Sequence, residues 1–128
     1  MPGIFGIGID CVDIPRIAEL RKKHGDDFGG LLFLPGEIEC CMARKLPDEC
    51  FAARFAAKEA FMKAIGTGWA EGVAFSGIEI IRLESGRPEM RLHGKTADKA
   101  QALGIGNIHV TLSHAKGLAV AQVLLENR

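Results

Sequence analysis

The stretch from Asp48 to Ile65, DECFAARFAAKEAFMKAI, constrains the fold more than any other. It predicts the longest helix of the chain, capped by Asp48 and stopped by the GTG that begins at Gly66. At about 100° per residue, Phe51, Phe55 and Met62 form one stripe, with Phe61 and Ile65 at its edge. Ala53, Ala57, Ala60 and Ala64 form a second face, Arg54 and Lys58 project into the phenylalanine side, and Glu59 and Lys63 fall between the two. No continuous polar face remains. Such a helix has to be covered on several sides, and small alanines let a neighbouring element or a ligand come close.

The charges on this helix admit ordinary readings. Glu59 and Lys63 form an i,i+4 pair in the favourable orientation, worth about 0.3–0.5 kcal/mol on an exposed surface. Arg54 and Lys58 could lay their stems on apolar surface and send their heads to water. A second reading is a chemical site or a subunit interface. Asp10, in the apolar run IFGIGIDCV, favours it, because a buried carboxylate is costly unless a cation relieves it. A hard cation such as Mg²⁺ is held by one or two carboxylates plus substrate phosphates, so Asp10 and Glu59 would suffice if the fold brings them together. His114, after HVTLS, and Arg87, before Pro88, read on their own as a structural histidine and a turn residue.

The remaining elements set the fold class. Residues 4–12 alternate as a strand, with Phe5, Ile7, Ile9 and Cys11 on one face, expected to be the core face, and Gly6, Gly8 and Asp10 on the other. Asp13 as cap and Pro15 in the first turn open a short helix closed by Gly25, whose later residues Arg16, Arg21, Lys22, Lys23 and His24 are basic. Residues 26–47 are broken by Gly29, Gly30, Pro35, Gly36 and Pro47, with a short helix expected from Glu37 to Lys45. Two strands joined at Ser85–Pro88, a helix from Thr96 to Leu103, and two strands around Ala115–Gly117 complete the chain. The order predicts an α+β domain with a mainly antiparallel sheet rather than a doubly wound one, and GIGID lies within a strand, so it is no dinucleotide fingerprint.

At 128 residues the chain is expected to form one domain, 1–128, able to bury its own core. Sixteen basic and 16 acidic residues cancel, which argues against nucleic acid as the main partner. No run approaches the roughly 20 apolar residues of a membrane span, and no leader pattern opens the chain, so a cytoplasmic protein is expected. Cys11, Cys40, Cys41 and Cys50 lack CxxC spacing and are expected to be reduced, mostly buried thiols.

Three segments, GIGIDCVDIPRI, RFAAKEAFMKAIGTG and HVTLSHAKGLAVAQV, together with SGRP in the central hairpin, resemble the holo-acyl-carrier-protein synthases, small bacterial phosphopantetheinyl transferases. The likeness runs from Gly6 to Glu126. It implies transfer of 4′-phosphopantetheine from coenzyme A to a serine of apo acyl carrier protein, with release of adenosine 3′,5′-bisphosphate. It also implies Mg²⁺ and a trimer with active sites between subunits. By the same resemblance Asp10 and Glu59 bind the metal, and Lys63 faces the phosphates. Arg54, Lys58, Gly66, Arg87, Pro88, Ser113 and His114 line the coenzyme A cleft, with Arg16 and Arg21 on the carrier surface.

The residue types suit that chemistry. Cleaving a pyrophosphate puts charge on the transferring and leaving oxygens, which a cation and fixed basic groups stabilise. The serine must lose its proton, with Glu59, directly or through water, as the first candidate base and Asp10 as the second. One departure is FGGLLFLP, where family members often carry an arginine and this chain has Gly29, Gly30 and Leu31. Two other readings fit the residues: a Mg²⁺-dependent hydrolase of nucleotide pyrophosphates, and a non-enzymatic module binding coenzyme A or a carrier protein.

Overall fold

The computed structural model describes residues 3–26, 28, 30–66 and 72–128. Gly29 of the glycine-rich departure and Thr67 and Gly68 of the helix stop lie outside them. Strand β1 (Ile4–Asp13) leads into helix α1 (Ile14–His24), then α2 (Pro35–Met42) and α3 (Pro47–Ile65). A 3-10 turn, Phe75–Gly77, precedes β2 (Ile78–Arg82), β3 (Pro88–Leu92), α4 (Gly94–Ala102), β4 (Ile105–Ala115) and β5 (Leu118–Asn127). All pairings are antiparallel: a three-stranded sheet ordered β1-β5-β4 and a β2-β3 hairpin. This is the α+β arrangement expected, with α3 against β1 and β5.

Helix boundaries differ by a few residues. Leu46, not Asp48, occupies the cap of α3, and Pro47 takes the first helical position, where its missing N–H costs nothing. Asp48 then lies in the first turn, where its charge suits the helix dipole. Helix α2 starts two residues earlier than expected, at Pro35, because Glu37 Oε1 accepts from the Leu34 N–H and closes the turn from within. Asp13 stands at the cap of α1 without a side-chain bond to it.

The strand β1 reverses the expected facing. Ile7 and Ile9 are 56% and 58% exposed and Cys11 is exposed too, while Gly6, Gly8 and Asp10 face α3. The cause is the closeness of the helix. A Cβ on Gly8 would overlap the Ala60 carbonyl oxygen and come within 2.8 Å of the Ala64 nitrogen, and one on Gly6 would lie 3.1 Å from the Ala64 carbonyl carbon. Only hydrogen fits between strand and helix there, so the glycine face is the buried one and the isoleucines stay on the outer side of the sheet.

Two other expectations need correction. Cys41 and Cys50 form a disulfide, since α2 lies along the first turns of α3 with the two Cα atoms 5.3 Å apart, within bridging range. Cys40, on the next side of α2, remains a partly buried thiol. Arg54 and Lys58 do not reach water; they are 6% and 0% exposed. Helix α3 is wrapped so fully that between Phe51 and Ile65 only Phe55, Glu59 and Lys63 escape burial, one row of i,i+4 spacing.

The strand–helix contact is testable. Gly8→Ala forces backbone apart in a packed core, which costs about 1–3 kcal/mol or more and should lower Tm by roughly 5–10 °C. Gly3→Ala, whose Cβ would meet only Asn127 Nδ2 at 3.6 Å, should leave Tm unchanged in the same thermal melts. Equal Tm values for the two variants would show that the close approach does not constrain the fold.

Candidate active site

The row of α3 that escapes burial faces the carboxylate of β1. Asp10 follows Gly8 on the same strand face, so the contact that seats α3 also brings Asp10 to the edge of that row. Lys63 Nζ donates to Asp10 Oδ1 at 3.0 Å and to the Ile9 carbonyl at 3.1 Å. Its stem is half exposed, so the ammonium is free to leave that position. The sequence-level i,i+4 pair of Glu59 and Lys63 is not made. Among the described residues no hydrogen bond or ion pair reaches the Glu59 carboxylate.

Asp10, Arg16, Phe55 and Glu59 border one cleft of about 330 Å³. Burial pushes the Glu59 carboxyl above its ordinary value and the neighbouring Asp10 charge adds to this, with Lys63 and Arg16 opposing. Two carboxylates of like charge thus share a half-dry space, with a lysine paired to one of them and one arginine at the rim. Among the described residues no group of three or more metal-ligating side chains occurs. A pair of carboxylates with open space suits a cation that keeps waters or takes further oxygens from a phosphate.

A second cavity, of about 280 Å³, opens beside the first turns of α3. Arg44, Lys45, Arg54, Arg82 and His114 line it, with Glu49 as its acid. His114 Nδ1 lies 3.8 Å from Glu49 Oε1. Arg54 is nearly buried yet poorly partnered: Nη1 donates to Cys50 Sγ at 2.8 Å, Nη2 to Cys40 Sγ at 3.3 Å, and Nε has no partner among the described residues. Sulfur is a weak acceptor, so this guanidinium has hydrogen-bonding capacity left for an anion.

The other expected residues separate into distinct places. Arg87 and Pro88 border a third, smaller cavity of about 170 Å³ against β4. Ser113 points to the opposite side of the sheet from His114, as neighbours in a strand must. Gly66 ends α3 in the left-handed conformation with open space around it. Arg16 is exposed at the rim of the first cleft.

Two assignments fail on geometry. Lys58 is fully buried and held by Glu37 Oε1 at 2.6 Å and the Leu32 and Phe75 carbonyls at 2.6 and 3.2 Å, with no proton left for a ligand. Arg21 is no free surface cation, because it pairs with Asp26 at 2.8 Å and with Asp48, and stacks 4.4 Å above the Phe51 ring. It joins α1 to α3. Conversely, Arg44, Lys45, Arg82 and Glu49 were not singled out from the sequence; the signal available was ARK before Pro47, in a segment broken by glycines and prolines.

The chain matches the model of the 4′-phosphopantetheinyl transferase superfamily over residues 6–122. It is 49% identical over 97% of its length to the holo-[acyl-carrier-protein] synthase of Koribacter versatilis, covering 99% of that protein. The same enzyme of Maridesulfovibrio salexigens is 43% identical over 96% of this chain and 98% of its own. Among solved structures, the holo-[acyl-carrier-protein] synthase of Neisseria meningitidis superposes with a TM-score of 0.88 at 35% identity, covering 96% of this chain and 98% of that one. The Helicobacter pylori enzyme, solved in complex with coenzyme A, gives 0.81 at 30% identity over 93% and 98%. The chain therefore belongs to the 4′-phosphopantetheinyl transferase superfamily and is an enzyme of its holo-[acyl-carrier-protein] synthase group.

Proposed function

We propose that the enzyme uses Mg²⁺ to move 4′-phosphopantetheine from coenzyme A to a serine hydroxyl of apo acyl carrier protein, releasing adenosine 3′,5′-bisphosphate for fatty acid biosynthesis in the cytoplasm. The observation that carries this reading is the meeting of Asp10 and Glu59 at one cleft, with Lys63 paired to Asp10. The site fits Mg²⁺, because among the described residues Glu59 lacks a partner and its pKa is raised by burial and by Asp10, a cost that a divalent cation would remove. Asp10 and Glu59 would hold the ion, which when bound supplies positive charge to the pyrophosphate.

The chain's own residues account for the rest. Lys63 turns from Asp10 toward the phosphate and stabilises charge on the departing oxygen as the bond to the adenosine bisphosphate breaks. The carrier's serine oxygen forms the new bond to phosphorus, and its proton passes to the Glu59 carboxylate, with Asp10 as the weaker alternative. Arg54, with Arg44, Lys45 and His114, takes the nucleotide 3′-phosphate in the second cavity. Arg16 faces the carrier, whose acidic surface it orients without any net charge on the enzyme.

Arg87, Pro88 and Ser113 lie apart from this cleft within one chain. A homotrimer with coenzyme A between subunits reconciles them with the same ligand. Support comes from the exposed Ile4, Ile7 and Ile9 on the outer sheet face, apolar surface that a monomer seldom leaves bare.

Incubation with coenzyme A, Mg²⁺ and apo carrier should raise the carrier's mass by one phosphopantetheine. An unchanged mass with a competent carrier would exclude the reaction. Glu59→Gln should reduce kcat about 100-fold or more, the scale of a lost general base.

The proton linkage of Glu59 has two opposite signs. Its ionised form works, so kcat/KM should fall on the acid side, with the limb lying highest in pH at limiting Mg²⁺ and moving to lower pH as Mg²⁺ is raised. An acid with a raised folded pKa keeps its proton more tightly when folded, so without metal it takes stability away as pH rises through that value. Glu59→Gln should then melt higher than the wild type at neutral pH in chelator, and gain less from added Mg²⁺. A variant that melts lower and responds fully to Mg²⁺ would remove Glu59 from the metal site.

Substrate contacts separate by variant. Arg54→Gln should raise KM for coenzyme A roughly 10-fold or more, as loss of a charged hydrogen bond predicts, and much less for 3′-dephospho-coenzyme A. Arg16→Glu should instead raise KM for the carrier. An equal effect of Arg54→Gln on both nucleotides would place the 3′-phosphate elsewhere.

A further inference from the structure

Lys58 and Glu37 form the most buried polar assembly of the fold. Both side chains are 0% exposed. The ammonium donates to Glu37 Oε1, the Leu32 carbonyl and the Phe75 carbonyl, which uses all three of its protons. Glu37 Oε1 also accepts from the Leu34 N–H and Oε2 from the Ile80 N–H, each at 3.0 Å. One pair therefore ties α3 to the 31–34 segment, to α2, to the 3-10 turn and to β2.

Stability does not explain it. A buried ion pair costs so much desolvation that an apolar pair of similar volume often serves as well or better. Burial pushes the Lys58 ammonium below the ordinary lysine range even with Glu37 beside it, so the cost is present here. What apolar packing does not supply is direction. On the side of Lys58 the helix offers Phe51, Phe61, Met62 and Ile65, which hold it by buried area, while Ala53, Ala56, Ala60 and Ala64 occupy the opposite face; the bonds of Lys58 are the directional contacts on its side.

We infer that the Lys58–Glu37 pair is a positioning device for the reaction, fixing the rotation of α3 about its axis and thereby the direction of Glu59, the next residue along. This rests on the reading of Glu59 as a working carboxylate. Consecutive helix residues are about 100° apart, so bonds that hold Lys58 also set the angle of Glu59. With side chains about 5–6 Å from the axis, a turn of about 10° moves a carboxylate by about 1 Å. A displacement of about that size can cost about 100-fold in rate. Helix α2 and strand β2 lead on to Arg44, Lys45 and Arg82, so the same pair also relates the phosphate cavity to Glu59.

The test is Lys58→Met combined with Glu37→Gln, which removes both charges and keeps one oxygen for one of the two backbone N–H groups. Positioning predicts a folded enzyme, assayed well below its own Tm, with kcat about 100-fold lower, a smaller Tm gain on adding Mg²⁺, and KM for the carrier within about 3-fold. Wild-type kcat and Mg²⁺ response in the folded double variant, whatever its Tm, would make the pair structural only and overturn the inference. Glu37→Gln alone keeps one oxygen for Lys58 and the Leu34 N–H but sets an amide N–H against the Ile80 N–H. It loosens the tie to β2 and should lower kcat and the Mg²⁺ response together, which keeps the inference testable even if the double variant does not fold. Wild-type values for both would overturn it. A 100-fold loss in Glu37→Gln with an intact Mg²⁺ response would point to charge rather than placement and would also overturn it. Glu59→Gln is assayed in parallel: full activity there removes the site reading and this inference together, whereas an inactive Glu59→Gln beside a fully active double variant removes this inference alone.

Discussion

Strand β1 and helix α3 touch backbone to backbone at Gly6 and Gly8 against Ala60 and Ala64, and the placement of everything chemical follows from that contact. A strand and a helix normally keep a layer of side chains between them. Here hydrogen atoms are the layer. The sheet β1-β5-β4 is consequently drawn close around α3, with Ala119, Ala121 and Val123 of β5 buried against it, and Asp10 is delivered to the helix row of Glu59 and Lys63 without a long reach from either side.

Closeness also explains why the cleft is electrostatically unrelaxed. Two acids near one another in partly dry surroundings repel, and Lys63 answers only one of them. Arg54 shows a matching condition of opposite sign, a nearly buried guanidinium with sulfur neighbours and an unpartnered nitrogen. Both groups are held by tight packing in states that a free side chain would leave by rotating toward water. Preorganisation of this kind is what lets a charged substrate gain interaction energy without first rearranging the protein.

Much of the architecture was legible from residue patterns. The α3 helix, the two hairpins and the element order follow from alanine and phenylalanine spacing and from SGRP and AKG turns, where Lys116 and Gly117 both take positive φ. The facing of β1 was not, because hydrophobicity ranks isoleucine above glycine as a core residue, while close approach reverses that order. Arg21 and Lys58 were legible as charges but not as partners: Asp26, Asp48 and Glu37 lie 5, 27 and 21 positions away. Those contacts depend on how α1 and α2 fold back on α3, and residues 26–47, rich in glycine and proline, carry no periodicity from which to read it. The Cys41–Cys50 bridge was hidden for the same reason.

The row Phe55, Glu59, Lys63 divides α3 by turn rather than by length. Most other positions from Phe51 onward answer to the core, while every fourth residue on this row answers to the cleft. Sequence change in this helix thus has two separate currencies. Drift toward new substrates has only a strip three residues long to work with, flanked on both sides by positions where almost any enlargement meets packed backbone. A catalyst built this way has little room to alter its helix without loosening its core, and the freer places for a change of specificity are the loops, the hairpin and the surface of α1.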